Sequence, residues 1–555
     1  MLALSLNDKR KCVKSNPIIR QVFLALLFAC VVAAQAAAAP VYPLKRIAGA
    51  RYLVDQNNAP YLMAGDSPQA LIVNLSEADA DTYFADRQAL GFNTVWINLL
   101  CNTYTFGRSD ASMIDGTLPF TGTIPSKSSY DLSKTNEAYF AHVDRIINLA
   151  ANHGLLVLLD PIETGGWLTT MLDNGTTKCQ AYGQYIGNRY KNFTNIIWMS
   201  GNDFQNWSTA GNDAVVRAVA LGIKSTDTNH IHTVELDYFV SSSLDDTNWV
   251  PTITLNATYT YYPTYAQVLA DYNRTNFLAN FMVEANYEYE DNLGNLGTLT
   301  PQVLRRQEYW TLLSGAAGQL YGNHYSSEFI SGWQSNLDTP GAIQFGYVNA
   351  LFGSRRWYDL IPDQNHTVVT AGYGTFTSSG SVNDSDYATA ARTADGALVM
   401  VYLPTNRTIT VDMSKLRGPA TAQWYDPSSG TYSAIAGSPF TNINTRNFTP
   451  SGNNAAGQGD WVLVLENTTT VPATVRINSI VLQGNNVLLT WATVGGLTNI
   501  VQATNGKSGG GYSTNFVALS PQIIPTGTGV TTTNYLDVGG ATNKPSRYYR
   551  VRLVL

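Results

Sequence analysis

The stretch N-I-I-W-M-S-G-N-D-F-Q-N-W, residues 195–207, decides how the chain is read. Ile196 to Met199 is a short apolar run, the signature of a buried strand. Ser200-Gly201 breaks it, and Asn202 and Asp203 follow, with Phe204 and Trp207 behind them. A carboxylate just past a buried strand, with an amide before it and aromatics after it, suits a sugar-cleaving site at the mouth of a barrel. The competing reading is a turn or a helix cap. The flanking sequence has to decide between them.

Outward from this stretch the same rhythm recurs. Strands are expected at 61–66, 92–100, 155–160, 196–199, 230–236, 253–259, 280–284 and 318–322. Between them lie helical patterns: 77–90 with Ser76 as cap and Gly91 as stop, 136–152, 179–190, 211–224, 265–272, 301–315 and 340–359. Short, nearly continuous apolar strands alternating with helices imply parallel strands buried on both faces. Eight of them predict an α/β fold, a (β/α)8 TIM barrel over residues 40–364. The step from strand five to strand six is the weakest part of this pattern. Near residue 365 helical periodicity stops. Residues 365–467 read as a β-sandwich, 468–475 as a linker, and 476–555 as a fibronectin-III-like β module.

Composition sets the class. The chain has 555 residues, 44% of them hydrophobic but only 13% charged, with 32 tyrosines and 11 tryptophans, so its surface is polar yet weakly charged. The net charge of −6 and the absence of a basic stripe argue against a nucleic-acid partner. Residues 1–39 read as an export signal. They hold a basic run (Lys9, Arg10, Lys11, Lys14, Arg20), an apolar Val22–Ala34 and A-x-A sites before Pro40. A secreted, periplasmic or cell-surface protein is expected, monomeric and free of the membrane once the signal is cleaved. Cys12 and Cys30 leave with the signal. Cys101 and Cys179 remain, either paired or as core thiols. No zinc-ligand spacing, phosphate loop or Ser-His-Asp order is present, so no metal or cofactor is expected.

In a barrel the chemistry sits at the C-terminal strand ends. Those positions hold Asp66, Asn98, Asp160, Asn202 with Asp203, Glu235 with Asp237, Tyr259 to Tyr262, Glu284, and Asn323 with His324. Strands four and seven face each other, which makes Asp203 and Glu284 the candidate catalytic pair for a glycosidase. Asp66, Asn98, Asp160, Asn202, Glu235 and His324 are candidate substrate ligands, with barrel-rim bracing as the alternative for each. Trp167, Trp207, Tyr262 and Trp333 are candidate stacking platforms for sugar rings, or core residues.

Several motifs fall in the order of a known family: G-D-S at 65–67, A-L-G-F-N at 89–93, N-E-A-Y-F-A-H-V-D at 136–144, A-Y-G-Q-Y-I-G-N-R-Y at 181–190, N-I-I-W-M-S-G-N-D at 195–203 and V-E at 283–284. From about Arg51 to Asp359 the chain resembles the apiosidase-like barrels (DUF4038, including glycoside hydrolase family 140). The resemblance implies a secreted glycoside hydrolase acting on plant or microbial polysaccharide, with Asp203 as acid/base and Glu284 as nucleophile. It also implies a collagen-binding-like domain at 365–467. Ser67-Pro68-Gln69 stands where relatives often carry T-A-W, and residues 160–167 also depart, so apiose specificity is not implied. The alternative is a catalytically inactive glycan-binding or adhesion protein on the same scaffold.

Overall fold

A computed structural model describes residues 39–554, apart from 291, 293–299, 468–475, 496, 508–510, 513–514, 527–529 and 543–545. The expected export signal, Cys12 and Cys30 with it, and the expected linker 468–475 lie outside the described residues.

The barrel strands are β1 (Met63–Asp66), β2 (Thr94–Asn98), β3 (Leu156–Asp160), β4 (Ile196–Ser200), β5 (His232–Val234), β6 (Asn256–Thr260), β7 (Asn280–Glu284) and β8 (Gly318–Tyr321). They pair in parallel in the order β5-β4-β3-β2-β1-β8-β7-β6. Alternate positions serve two cores. Trp96, Leu158, Ile197, Met199, Phe281 and Val283 fill the interior. Val95, Ile97, Val157, Leu159 and Trp198 pack outward against the helices. This double burial is why the strands read as unbroken apolar runs.

The barrel closes differently between β5 and β6. There the free edge of β6 is taken by an antiparallel strand, Val240–Ser242, which continues into the 3-10 turn Ser243–Asp245. The backbone N–H groups of Thr254 and Leu255 donate to the His232 carbonyl at 2.9 and 3.3 Å, bridging to β5 just ahead of β6. The connection runs through Ser241-Ser-Ser, Asp245-Asp-Thr-Asn and Pro251, residues that disfavour a helix, so it folds back as a strand instead.

Seven longer helices cover the barrel: α1 (Glu77–Ala89), α2 (Glu137–Asn152), α3 (Thr164–Tyr190), α4 (Ala210–Thr226), α5 (Thr264–Tyr272), α6 (Pro301–Leu313) and α7 (Pro340–Gly353). Ser76 caps α1 as expected, accepting from the Asp79 N–H. Two helices depart from expectation. α7 ends at Gly353 and not at residue 359. α3 begins at Thr164, fifteen residues before the expected start, with a break at Gly175 (φ 67°). Its first half is rich in Gly and Thr, poor helix formers, and is held by packing of Trp167 and Met171 into the core. Cys101 and Cys179 are both free, buried thiols. No helix among the described residues is long and apolar enough to cross a membrane.

After the barrel comes an antiparallel sandwich. A six-stranded sheet includes Leu398–Leu403, Trp461–Asn467 and Ala420–Asp426, and a three-stranded sheet holds Val369–Ala371, Ile409–Asp412 and Thr445–Phe448. Val399, Val401 and Leu403 face the second sheet. Met400 and Tyr402 face the barrel, where Tyr402 stacks on Tyr309 of α6 (4.8 Å, 10°). The C-terminal module has two three-stranded antiparallel sheets around Trp491, whose indole N–H donates to Asn499 Oδ1 at 3.0 Å.

Candidate active site

β4 ends in a turn with three successive positive φ angles, Gly201 at 118°, Asn202 at 65° and Asp203 at 49°. Gly201 is obligatory here. A Cβ would sit 2.0 Å from the Glu235 carbonyl, and its φ also favours glycine. Asn and Asp tolerate the left-handed region better than other side chains, so the G-N-D order suits this turn. The turn is pinned by Thr164, whose N–H donates to the Gly201 carbonyl (2.9 Å) and whose hydroxyl donates to the Asn202 carbonyl (2.6 Å).

Glu284 ends β7 and is nearly fully buried. The Tyr259 hydroxyl lies 2.9 Å from Asp203 Oδ1 and 2.6 Å from Glu284 Oε1, so those two oxygens are at most 5.5 Å apart. Tyr261 donates to the same Glu284 oxygen (2.7 Å), and Tyr287 donates to the other (2.9 Å). Gln69 in turn holds the Tyr287 hydroxyl at 3.1 Å. Glu235 at the end of β5 is the third carboxyl. Its Oε2 accepts the Asp203 N–H (3.2 Å), while the buried Oε1 has no partner.

Among the described residues none of these three carboxyls has an ion pair. Burial, and then the neighbouring Asp203, push the Glu284 carboxyl up to about 8, against the pull of the three phenol donors. Burial first, then Glu284 and Asp203, push Glu235 well above the usual range, which disfavours its charged form. Burial also raises Asp203, opposed by the Tyr259 hydrogen bond and helped by Asp237 and Glu163. Three carboxyls without a cation cannot all ionise together, so the site holds protons at neutral pH.

The other strand-end residues divide sharply. Asn98 donates to Asn202 Oδ1 (2.8 Å) and accepts from the Trp96 indole (2.9 Å), so it orients Asn202 from behind. Asp66 belongs to the rim. It is fully buried, accepts from the Tyr83 hydroxyl (2.5 Å) and the Ser67 N–H (2.7 Å), and lies 3.5 Å from the Arg87 guanidinium. Asp160 is also fully buried, with Oδ1 on the Ile162 N–H and Oδ2 unpartnered.

Of the expected stacking platforms, Trp167 and Trp333 take the core alternative. Trp167 lies on α3 and is 2% exposed, its ring against Tyr130 and Phe120. Trp333 is buried edge-on to Phe329, and Trp207 packs half-buried against the same core. Tyr262 is half-buried and holds neither carboxyl. It stands one residue out of phase with Tyr259 and Tyr261, which do. His324 is 42% exposed and pairs with Glu290 at 3.3 Å, not with Glu284.

The strand-end reading placed Tyr259 and Tyr261 at the end of strand six without giving them a role, and it left Tyr287 and Glu163 out. The i, i+2 spacing of Tyr259 and Tyr261 marks one face of a strand end and was a usable signal. Glu163 is buried before α3, where its Oε1 gathers the N–H groups of Asn102 and Thr103 and the Thr103 hydroxyl at 2.6–2.8 Å. Beside Asp203 opens a cavity of about 350 Å³ lined by Thr103, Tyr104, Thr164, Asn202, Asp203 and Gln205, among others. Among the described residues no cluster of three or more His, Cys, Asp or Glu could hold a metal ion.

A parallel barrel with a close carboxyl pair at the ends of β4 and β7 is the architecture of a glycoside hydrolase. Residues 48–359 match the family model for the apiosidase-like catalytic domain, more than half of the chain, and the chain belongs to that family. Residues 375–466 match a second model, described as a collagen-binding domain of a collagenase. Among solved structures the chain is similar to a glycoside hydrolase at 23% identity and TM-score 0.65, covering 77% of this chain and 97% of that one. It is also similar to a glycoside hydrolase family 5 protein from Bacteroides vulgatus at 22% identity and TM-score 0.65, covering 77% and 93%. No curated protein matches the chain.

Proposed function

We propose that the protein is a secreted, retaining glycoside hydrolase that cleaves an O-glycosidic bond in a plant or microbial polysaccharide. The observation that carries this reading is the single Tyr259 hydroxyl touching both Asp203 and Glu284, which caps their oxygen separation at 5.5 Å. Retaining enzymes hold their carboxyls about 5–5.5 Å apart, whereas inverting ones leave about 6.5–9.5 Å for a water.

In the first step a Glu284 oxygen attacks the anomeric carbon as its bond to the glycosidic oxygen breaks. Asp203 gives its proton to that departing oxygen. The phenol donors of Tyr259, Tyr261 and Tyr287 aim the nucleophile and favour its charged form. Burial raises the Asp203 carboxyl, the direction its acid role requires. In the second step Asp203, now a carboxylate, takes a proton from water. The resulting hydroxide oxygen attacks the anomeric carbon, and the bond to Glu284 breaks. Burial and the two neighbouring carboxyls push Glu235 up, which disfavours a third negative charge beside the pair.

The test is a screen over plant and microbial glycans, with the first-formed anomer followed by proton NMR. The substrate anomer is expected in the product, and inversion would overturn the covalent mechanism. Export is proposed from the basic and apolar N-terminal composition. Sequencing of the mature N-terminus should then place it near Pro40.

A further inference from the structure

We propose that Glu163 is a positioning residue of the active site: its carboxylate, acting through Asn98, holds the Asn202 amide with its nitrogen free for the substrate beside Asp203. This rests on the glycosidase reading.

Glu163 stands at the start of α3, where an acidic side chain commonly caps the helix by accepting from its first N–H groups. It makes no such cap. The side chain is fully buried and turns to the loop after β2. There Oε1 accepts from the Asn102 N–H (2.7 Å), the Thr103 N–H (2.6 Å) and the Thr103 hydroxyl (2.8 Å). Gly165 and Gly166 make room for this contact. A Cβ on Gly166 would lie 2.6 Å from Glu163 Oε1 and 2.7 Å from Asn102 Cβ, and one on Gly165 would lie 2.7 Å from Thr103 Oγ1. Two poor helix formers near the start of a helix are thus explained by the close approach they permit. With Oε1 anchored by three donors, Oε2 is left for Asn98 Nδ2, at a long 3.4 Å.

The next link has a fixed direction. An indole N–H only donates, and that of Trp96 donates to Asn98 Oδ1 at 2.9 Å, so the Asn98 amide is set one way round. Its Nδ2 carries two hydrogens and meets two acceptors, Glu163 Oε2 and Asn202 Oδ1 (2.8 Å). Asn202 lines the cavity beside Asp203. Because its oxygen is engaged by Asn98, its nitrogen remains to donate, and a sugar hydroxyl is the matching acceptor. Thr164, the residue after Glu163, bonds the Asn202 carbonyl, so consecutive residues secure the side chain and the main chain of the same turn.

The experiment uses the full chain and the glycan that the screen shows to be cleaved, with kcat/KM expressed per folded molecule from urea unfolding. In Glu163→Gln the three donors keep an oxygen in the Oε1 place, so the amide nitrogen faces Asn98 Nδ2, donor against donor. A fall in kcat/KM of about tenfold is expected. Asn202→Gly removes the amide and suits the left-handed backbone. In that background Glu163→Gln should change kcat/KM less than about twofold, because the group it acts through is gone. A residue that only braces the fold would carry the same penalty into both backgrounds. Asn98→Ala cuts the link from its other end and should show the same loss and the same dependence on Asn202, which keeps the test decisive where Glu163→Gln fails to fold. Wild-type kcat/KM in Glu163→Gln, or equal losses with and without the Asn202 side chain in either variant, would overturn the relay and leave the glycosidase standing. A wild-type chain that hydrolyses no glycan, or hydrolysis that survives Glu284→Gln, would remove both.

Discussion

At the seam between barrel and sandwich, the buried Arg305 of α6 makes two 2.8 Å bonds to the buried Asp460 and another to Gln344. Its neighbour Arg306 reaches the carbonyls of Val382, Asn383 and Pro404. The mouth of the same barrel holds the half-buried Asp203 beside the buried Glu235 and Glu284, with phenols and backbone N–H groups but, among the described residues, no cation. Both regions remove charge from water. At the seam Arg305 has its complement in Asp460, and this ion pair ties the two domains together. At the mouth the repulsion is left standing, at a cost in stability, and protons are retained where a substrate could take them. Asp66 shows the contrast within the rim itself: with Arg87 and Tyr83 on it, a strand-end carboxylate becomes a brace.

The sharpest way to break the comparison is to remove the mouth's carboxyls. Glu284→Gln and Asp203→Asn should each cut kcat at least about a thousandfold on a screened substrate. The folded pKa of Glu284, raised to about 8, means the native state holds a proton that the unfolded chain releases above the ordinary carboxylate range. Its contribution to stability is therefore full at low pH and is lost as pH rises through about 8. Urea midpoints measured at pH 5 and pH 9 should fall further for the wild type than for Glu284→Gln.

At the seam the effect should be on stability alone. Arg305→Ala strands Asp460 unpaired and should cost roughly 3–5 kcal/mol in urea unfolding, with kcat per folded molecule unchanged. Back at the mouth, Tyr261→Phe and Tyr287→Phe each remove a donor to Glu284, worth about 1.5–3 kcal/mol for a charged acceptor. A ten- to hundredfold loss in kcat/KM is expected. Because the donors favour the carboxylate, the acid limb of the pH profile should move to higher pH. The smallest effect belongs to His324→Ala, which removes an exposed ring and should change kcat/KM less than twofold.

Much of the fold was legible because its signals are local. The apolar runs marked the strands and Ser76 its helix start, whereas the antiparallel strand Val240–Ser242 was not foreseen at the step from strand five to six, where the pattern was weakest. The catalytic candidates were legible because Asp203 and Glu284 each end an apolar run. The first half of α3 was not, because Gly165, Gly166 and Thr169-Thr170 have poor helix propensity and only the packing of Trp167 and Met171 overrides it. That same packing turned Trp167 from an apparent platform into a core residue. Tyr259 and Tyr261 stood in the sequence at the end of strand six, but nothing local told that their hydroxyls reach the two carboxyls.

By itself the sequence determined the alternation of strands and helices and the identity of the side chains standing at each strand end, since periodicity, caps and breaks are written in neighbouring residues. Only the tertiary structure decided which of those side chains share a cavity. Asp66 finds Arg87 through the packing of α1, and Tyr259 bridges Asp203 and Glu284 because β4, β6 and β7 converge when the barrel closes. Such partnerships join residues from 21 to 81 positions apart, and they follow from the curvature of the sheet and the side each residue faces, neither of which a local pattern encodes.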